Sequence, residues 1–303
     1  MDCIALINYM ENLRYERMIS QEEYLFGVVS QRQYYRYRYG ESEVPFDVII
    51  NLASKLQIHF LKLLTQFIKE SEQGKKLVQK YFNLVINKNN VQAEKCFNQI
   101  NKRNIIDNDS RTLAKLGKII FDHNRGGYST VELCFLLKKH MRYTEMLKKD
   151  SLHDFEVYLL GLLMEFSLTD RNAILEKLIY LYINNKVLTG ENRLYNSQVY
   201  FWIIKNLGRE SRYEEVINFA KSAIDYCADE FSVYCLNYFH YYKALAHNRM
   251  GEISKFQDEI YNSIIVSLNQ NTEKREKFFA TILKDTGINA VDFLIDRFQI
   301  MLK

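Results

Sequence analysis

The chain has 303 residues, enough for one large domain or two modest ones with a buried core. One proline and eleven glycines leave few helix breakers, so the composition predicts an almost entirely helical protein. The formal charge of +4 neither requires nor excludes a nucleic-acid partner. No apolar run approaches the roughly 20 residues of a membrane span. Five scattered cysteines and no signal peptide favour a reducing cytoplasm.

The first 70 residues predict five short helices and a small N-terminal domain. Three of them are predicted at about Cys3–Arg17, at Phe46–Leu56 and at about His59–Ser71, from apolar residues at helical spacing. A polar linker, Glu70–Lys76, should follow. We therefore expect one domain at residues 1–70 and a second at residues 71–303.

The other two helices form a helix–break–helix pattern at Ile19–Gly40, ISQEEYLFGVVSQRQYYRYRYG. The capping box of Ser20 and Glu23 predicts the start of the first helix. Gly27 marks the turn, and Ser30 caps the second helix. Two short helices joined in this way are typical of a helix-turn-helix.

The second helix of this pattern carries arginines as its only charged residues. Its spacing turns Tyr34 and Tyr37 inward. Arginine pairs with guanine, glutamine pairs with adenine, and both reach phosphates. Residues Met1–Lys69 hold eight basic and eight acidic side chains, so attraction for DNA must be local to this helix. The predicted DNA contacts are Ser30, Gln31, Arg32, Gln33, Tyr35, Arg36 and Arg38. The alternative is an ordinary packed helix pair with solvated arginines.

Beyond the linker the pattern changes to helix pairs separated by short polar breaks. Pairs are predicted near 77–103, 108–142, 151–185, 193–226 and 231–268, with a last helical segment at 273–302. Their spacing of roughly 35 to 43 residues is that of two-helix solenoid repeats. The fourth pair has Tyr213, Ala220 and Ala223 at positions typical of a tetratricopeptide repeat, and the fifth has Ala244 and Gly251. The fold class is therefore all-α, a helix-turn-helix domain followed by a tetratricopeptide-like α-solenoid.

The first helix of each solenoid pair lines a concave face on which extended peptides dock. The side chains expected on that face are Gln198, Phe201 and Lys205 of the fourth pair and Tyr238, Tyr241 and Asn248 of the fifth. Amide and phenol groups at this spacing can bond to a peptide backbone. The alternative is a scaffold without a ligand.

Enzyme chemistry has little support in the sequence. There is no glycine loop for phosphate, no zinc-protease or serine-hydrolase motif, and no cysteine or histidine spacing typical of a metal site. His240 and His247 share a helix face, but nothing marks them as a catalytic pair. We therefore expect no catalysis, no cofactor and no metal.

Four segments in the first 70 residues resemble one known family. They are ISQEE at Ile19–Glu23, GVVS at Gly27–Ser30, SQRQYYRYRYG from Ser30 onward and VIINLASKLQI at Val48–Ile58. With the repeats behind them, they resemble the peptide-pheromone-responsive transcription regulators of Gram-positive bacteria, the Rgg, NprR, PlcR and PrgX group. GVVSQRQYY is most similar to the PrgX-like branch. Many members have a glutamate where this chain has Arg38, so the resemblance implies either an altered loop or an additional phosphate contact there.

The resemblance implies a cytoplasmic homodimer bound to a double-stranded DNA operator with two-fold symmetry. A short signalling peptide would bind the concave face and shift the protein between dimer arrangements, or between dimer and tetramer, as in quorum sensing. No membrane partner is implied. The rival hypothesis is a tetratricopeptide interaction protein that binds a protein partner instead of DNA. That protein would need apolar anchors on the outward face of Gln31–Arg38.

Overall fold

The computed structural model describes residues 3–103, 105–188 and 193–301. These residues form seventeen α-helices and two β-strands of two residues each. The predicted all-α fold is therefore confirmed. By their internal contacts the residues divide into two compact units, Met1–Leu136 and Leu137–Lys303.

Eight helices begin within the described part of the N-terminal unit. They are α1 (Cys3–Glu16), α2 (Gln21–Leu25), α3 (Gln31–Tyr39), α4 (Phe46–Lys55), α5 (Phe60–Ile86), α6 (Asn90–Asn101), α7 (Asn108–Asn124) and α8 (Thr130–Met141), which spans the division between the units. The first four are confirmed, and the bounds that were predicted for them agree with the structure to within about a residue. Their shared core includes Leu6 and Met10 of α1, Tyr24 of α2, Tyr34 of α3 and Leu52 of α4.

The predicted linker Glu70–Lys76 is wrong, because this segment lies inside α5. The polar side chains of this segment suggest a break between helices. Glutamate, glutamine and lysine are nevertheless good helix formers, and no proline interrupts them. The buried side chains Phe67, Val78 and Tyr81 continue one apolar stripe through the segment. Gly74 is itself buried within this helix, and a Cβ there would lie at an ordinary van der Waals distance, 3.6 Å, from the Ile105 side chain.

The core of the first five helices also extends past residue 70. The Tyr9 hydroxyl of α1 donates a hydrogen bond to Glu70 Oε1 at 2.9 Å, and its ring packs edge-on against Phe67 at 5.5 Å. Ile106, in the connection before α7, belongs to the same buried cluster. The functional division at residue 70 remains a prediction, but it does not coincide with a break in the helix or in the core.

Nine helices follow α8 in the C-terminal unit. They are α9 (Tyr143–Lys148), α10 (Asp154–Phe166), α11 (Arg171–Ile183), α12 (Arg193–Arg209), α13 (Tyr213–Asp229), α14 (Leu236–Arg249), α15 (Ile253–Ser267), α16 (Thr272–Thr286) and α17 (Ala290–Met301). Strands β1 (Leu152–His153) and β2 (Val187–Leu188) pair in parallel, with Leu152 opposite Val187.

The helix pairs predicted from 108 onward are confirmed, with two differences. The short helix α9 was not predicted, and the segment 273–302 is two helices rather than one; residue 302 lies outside the described residues. Gly287 separates α16 from α17 and adopts φ +75°, a left-handed conformation that ends a helix.

Small residues allow the repeat helices to approach closely. Ala220, Ala223 and Ala244 are fully buried. A Cβ on Gly161 of α10 would lie 2.4 Å from the Trp202 ring of α12, so only glycine fits under that ring. As a result α10, α12 and α14 pack side by side, with α11, α13 and α15 as their second layer.

No single helix among the described residues is both long enough and apolar enough to cross a membrane. Helices α4 and α5 are long and apolar enough for a membrane span only when they are taken together, and the chain bends by 92° between them.

A proline at Glu72 tests whether α5 is continuous. We expect Glu72→Pro to lower the free energy of unfolding of the N-terminal unit by about 3 kcal/mol or more, because proline removes a helical hydrogen bond and clashes with the carbonyl of Ile68. Glu72→Ala is the matched control, since this exposed side chain makes only a 3.8 Å ion pair with Lys75. Thermal and denaturant unfolding followed by circular dichroism measures both. Equal stability of the two variants would mean that the segment is not helical.

Candidate DNA interface and candidate peptide site

Both helices of the predicted helix-turn-helix begin at a serine cap. Ser20 Oγ accepts a hydrogen bond from the Glu23 amide at 3.1 Å, and Ser30 Oγ accepts one from the Gln33 amide at 3.3 Å. Gly27 adopts φ +72° in the turn between the helices, where a side chain would strain the backbone. These local signals explain why the two helices begin where the sequence predicts.

Two buried tyrosines pack the inner side of helix α3 into the core. Tyr34 is fully buried and meets Tyr24 of α2 edge-on at 6.0 Å, and Tyr37 is nearly as buried. Both were predicted to point inward. With these rings in the core, the opposite side of α3 is turned toward solvent.

We call this solvent-facing side the outer face of α3. It consists of Gln31, Arg32, Tyr35, Arg36 and Tyr39. Arg32 and Arg36 lie one helical turn apart, and Arg32 has no hydrogen-bond or ion-pair partner within the described part of the chain. Tyr35 and Tyr39 stack with ring centroids 6.5 Å apart. This face therefore presents two cations, an amide and a pair of aromatic rings to water.

Tyr39 and Gln21 were missed at the sequence level. Tyr39 lies one turn beyond Tyr35 and is 75% exposed. The Gln31 Nε2 atom donates to Gln21 Oε1 at 3.1 Å, so a residue of α2 orients the first side chain of α3. The spacing of Tyr35 and Tyr39 could have identified the tyrosine. No sequence signal brings Gln21 to Gln31.

Three predicted DNA contacts, Ser30, Gln33 and Arg38, do not belong to the outer face of α3. The Ser30 hydroxyl is the helix cap described above. Gln33 is half-buried, donates to Ser42 Oγ at 2.9 Å and accepts from Arg36 Nη1 at 3.2 Å. Arg38 points toward α1, away from the outer face, and its Nε donates to Asn8 Oδ1 at 3.1 Å. The outer face therefore brings together Gln31, Arg32, Tyr35 and Arg36 of the predicted set.

The candidate peptide site lies where α12 and α14 meet. The rings of Phe201, Tyr238 and Tyr242 form what we call the aromatic strip, with Phe201 5.3 Å from Tyr238 and 5.9 Å from Tyr242. Tyr238 also packs edge-on against Phe278 of α16 at 5.1 Å. All three strip residues are half-buried, so each keeps part of its ring exposed.

Four of the six predicted peptide contacts lie on or beside this strip. Phe201 and Tyr238 belong to it, Lys205 Nζ lies 5.8 Å from the Phe201 ring centroid, and Gln198 is one turn before Phe201. Gln198 Oε1 accepts a hydrogen bond from the Tyr234 hydroxyl at 2.7 Å.

The other two predicted contacts are not brought to the strip. Tyr241 is 2% exposed, its ring lies in a core cluster and its hydroxyl donates to Asp285 at 2.5 Å. Asn248 is exposed, but it lies six residues beyond Tyr242, the nearest strip residue on its helix, about 9 Å along the axis of α14. The strip instead uses Tyr242, whose pKa is raised to about 12 by burial.

A second group of side chains borders the strip; it includes the predicted Lys205 and three residues that the sequence did not indicate. Glu165 of α10 accepts from Lys205 Nζ at 2.5 Å and from Asn206 Nδ2 at 3.3 Å, and Arg209 Nη1 lies 3.8 Å from it. We call these four residues the Glu165 cluster. Glu165 is the one acidic residue of the apolar run LLGLLMEF, and that isolated charge was the available signal.

No protein-family model matches the chain, and no curated protein sequence is significantly similar to it. Several solved structures match most of its length, among them the following three. The structure of Bacillus thuringiensis PlcR in complex with the peptide PapR7 and DNA has 16% identity and a TM-score of 0.55, and the match covers 92% of this chain and 98% of PlcR.

The two other structures give similar values. ComR from S. thermophilus, in complex with DNA and its signalling peptide ComS, has 15% identity and a TM-score of 0.58, with 94% of this chain and 100% of ComR covered. A putative transcriptional regulator from Listeria monocytogenes EGD-e has 12% identity and a TM-score of 0.51, with 97% and 98% covered. The chain therefore shares the fold of ComR and of PlcR. PlcR belongs to the group that the N-terminal sequence of this chain resembles.

Proposed function

We propose that the protein is a cytoplasmic, non-enzymatic transcription regulator that binds DNA with α3 and is switched by a short signalling peptide. The outer face of α3 is the observation that carries this proposal. It presents Arg32 and Arg36 together with the amide of Gln31, and the opposite side of the helix is packed in the hydrophobic core. The shared fold with PlcR and ComR, whose structures contain DNA and a peptide, supports both halves of the proposal.

The chemistry of the outer face suits the major groove of DNA. Arg32 and Arg36 carry permanent positive charge, and a guanidinium can bond to a phosphate or to both acceptors of a guanine. Gln31 keeps its carbonyl oxygen and one N–H after bonding to Gln21, which is the pair of groups that adenine recognition requires. Because α3 is capped and packed before DNA arrives, little conformational entropy is lost on binding.

A homodimer on a two-fold operator completes the proposal for DNA. Two copies of a helix-turn-helix read half-sites about 34 Å apart, one turn of the duplex, or a multiple of that distance. The proposal also allows a tetramer, which would bind two operators.

The peptide would lie along the aromatic strip. Its rings offer apolar area for the side chains of the peptide, and the Glu165 cluster offers both signs of charge for its polar ends. Binding would switch DNA recognition only if the peptide prefers one arrangement of the protein over another. A shift from 1:99 to 99:1 needs roughly a 10⁴-fold preference.

The rival function, binding of a protein partner through α3, is favoured by one observation. Tyr35 and Tyr39 are stacked and are 39% and 75% exposed, and exposed tyrosines are common at protein interfaces. The other three residues of the outer face, Gln31, Arg32 and Arg36, are polar or charged and supply no further apolar anchor. DNA is therefore the better match for the whole face.

Removal of both outer arginines tests DNA binding. We expect Arg32→Ala with Arg36→Ala to weaken specific binding about 30-fold or more, because each lost base or phosphate contact costs about 1–3 kcal/mol. The measurement is selection from a random duplex library by the wild-type protein, followed by titration of both proteins with the selected duplex.

The matched control removes the same charge elsewhere. Arg142 and Lys277, with side chains 78% and 75% exposed, lie in the C-terminal unit. Arg142→Ala with Lys277→Ala should bind the duplex like the wild type. The proposal fails if the α3 variant binds with wild-type affinity and salt dependence.

A leucine at Phe201 tests the peptide site. The protein is purified from its native cells, and peptides that accompany it are identified by mass spectrometry. We expect Phe201→Leu to lose most of the peptide found with the wild type, because leucine keeps apolar volume but removes the ring contacts with Tyr238 and Tyr242.

Phe231→Leu is the control for this experiment, since Phe231 is 96% exposed in the same unit. It should retain the peptide. Equal recovery of the peptide with Phe201→Leu and with the wild type would mean that the peptide binds at another site on the protein.

A further inference from the structure

One buried carboxylate joins α1 to α3. Glu11 Oε1 accepts from Arg14 Nη2 at 2.9 Å and from Arg38 Nη1 at 3.3 Å. Glu11 Oε2 accepts from Arg14 Nε at 2.9 Å and from the Tyr34 hydroxyl at 3.0 Å. A carboxylate has about four lone-pair positions, so the acceptor capacity of Glu11 is fully used.

Asn8 of α1 holds Arg38 at two points. Its Oδ1 accepts from Arg38 Nε at 3.1 Å, and its Nδ2 donates to the Arg38 carbonyl at 3.2 Å. Both the side chain and the main chain of Arg38 are therefore bonded to α1. The guanidinium also lies 5.9 Å from the centroid of the buried Tyr34 ring. We call this set, Asn8, Glu11, Tyr34 and Arg38, the α1–α3 clamp.

The clamp lies in a water-poor environment. The side chain of Glu11 is 11% exposed and that of Arg38 is 27% exposed. Burial acts to raise the pKa of Glu11, but the hydrogen bonds from Arg14 and Tyr34 and the charge of Arg38 keep it below its ordinary value. A buried charge that loses its partner is strongly unfavourable, so the clamp keeps Arg38 bonded to α1.

We propose that Arg38 is a positioning residue, which fixes the rotation of α3 through Asn8 and Glu11 and makes no contact with DNA. The inference rests on the proposed DNA-binding function. It assigns the three arginines of α3 to two tasks: Arg32 and Arg36 meet DNA, and Arg38 orients the helix that carries them. A small rotation of α3 would displace both outer arginines at once, because they lie on one helix face.

The salt dependence of binding separates the two roles. Loss of a phosphate contact lowers the magnitude of the slope of log K against log salt by about 0.9 and weakens binding to every sequence alike. Loss of a positioning residue leaves the slope unchanged and weakens the selected duplex more than an unrelated one. We expect Arg38→Met to reduce the ratio of specific to non-specific affinity about tenfold, with an unchanged slope.

Two further variants make the test independent of charge. Asn8→Ala removes both bonds between Asn8 and Arg38 without removing a charge, and we expect it to reduce the ratio in the same direction as Arg38→Met does. Arg38→Lys keeps the charge but loses the fork that reaches Asn8 and Glu11 together, so it should be as impaired as Arg38→Met. The effects of Asn8→Ala and Arg38→Met combined should be less than additive, since both break the same contact.

The opposite pattern overturns the proposal. If Arg38→Lys binds like the wild type, Arg38→Met lowers the slope and Asn8→Ala has no effect, then Arg38 contacts phosphate. Titrations are made at a temperature at which every variant is folded by circular dichroism. If a variant loses specific and non-specific binding in equal proportion, the ratio of the two affinities is unchanged. That result also counts against positioning.

Hydrogen exchange tests the clamp without DNA. Asn8→Ala and Arg38→Met should increase amide exchange in α3 several-fold more than in α4, because only α3 loses its tie to α1. If the wild type selects no duplex, the proposed function fails, and the exchange experiment still decides whether the clamp holds α3. Unchanged exchange in α3 would refute the clamp itself.

Discussion

The buried carboxylate of Glu11 is the constraint on which the candidate DNA interface depends. A charge in a core is unfavourable unless donors surround it, and here two arginines and a tyrosine supply them. Tyr34 comes from the inner side of α3 and Arg38 from its last turn, so one group on α1 fixes two positions along α3. The outer face of α3 is a consequence of how the inner face is bonded.

The continuity of α5 sets a second constraint within the N-terminal unit. This helix begins in the core that supports α3 and continues beside α6 and α7. Tyr9, Phe67 and Ile106 join these parts into one buried cluster. Because α5 is continuous, no linker separates the first five helices from α6 and α7.

The parts of the fold that local chemistry determines could be predicted from the sequence. Serine caps, a glycine turn and tyrosines at i and i+3 act over a few residues, so the bounds of α2 and the inner side of α3 followed from them. The alternation of helices in the repeats followed from apolar spacing in the same way. The fold resemblance to PlcR then agreed with the family suggested by the N-terminal motifs.

The structure differs from the sequence-based picture where tertiary contacts decide. Glu70–Lys76 is polar because one side of α5 faces water there, and polarity alone does not distinguish an exposed helix face from a linker. Arg38 is bonded to residues about 30 positions earlier, which no local pattern reveals. Tyr241 and Tyr242 are neighbours separated by about 100° around α14, so a slight error in the assumed register exchanges a core residue for a surface residue.

The two candidate sites use carboxylates in opposite ways, and exposure explains the difference. Glu11 and Arg14 are 11% and 13% exposed, so the partners of Glu11 are fixed and its role is to hold a helix in place. Glu165 is 22% exposed and its neighbour Arg209 is 46% exposed, so water reaches their ion pair. An accessible ion pair exchanges one partner for another at little cost, whereas a buried pair does not. The Glu11 carboxylate therefore provides rigidity. In the Glu165 cluster it is the Arg209 pair that water reaches, whereas Lys205, 2.5 Å from Glu165, is 23% exposed and is held more closely.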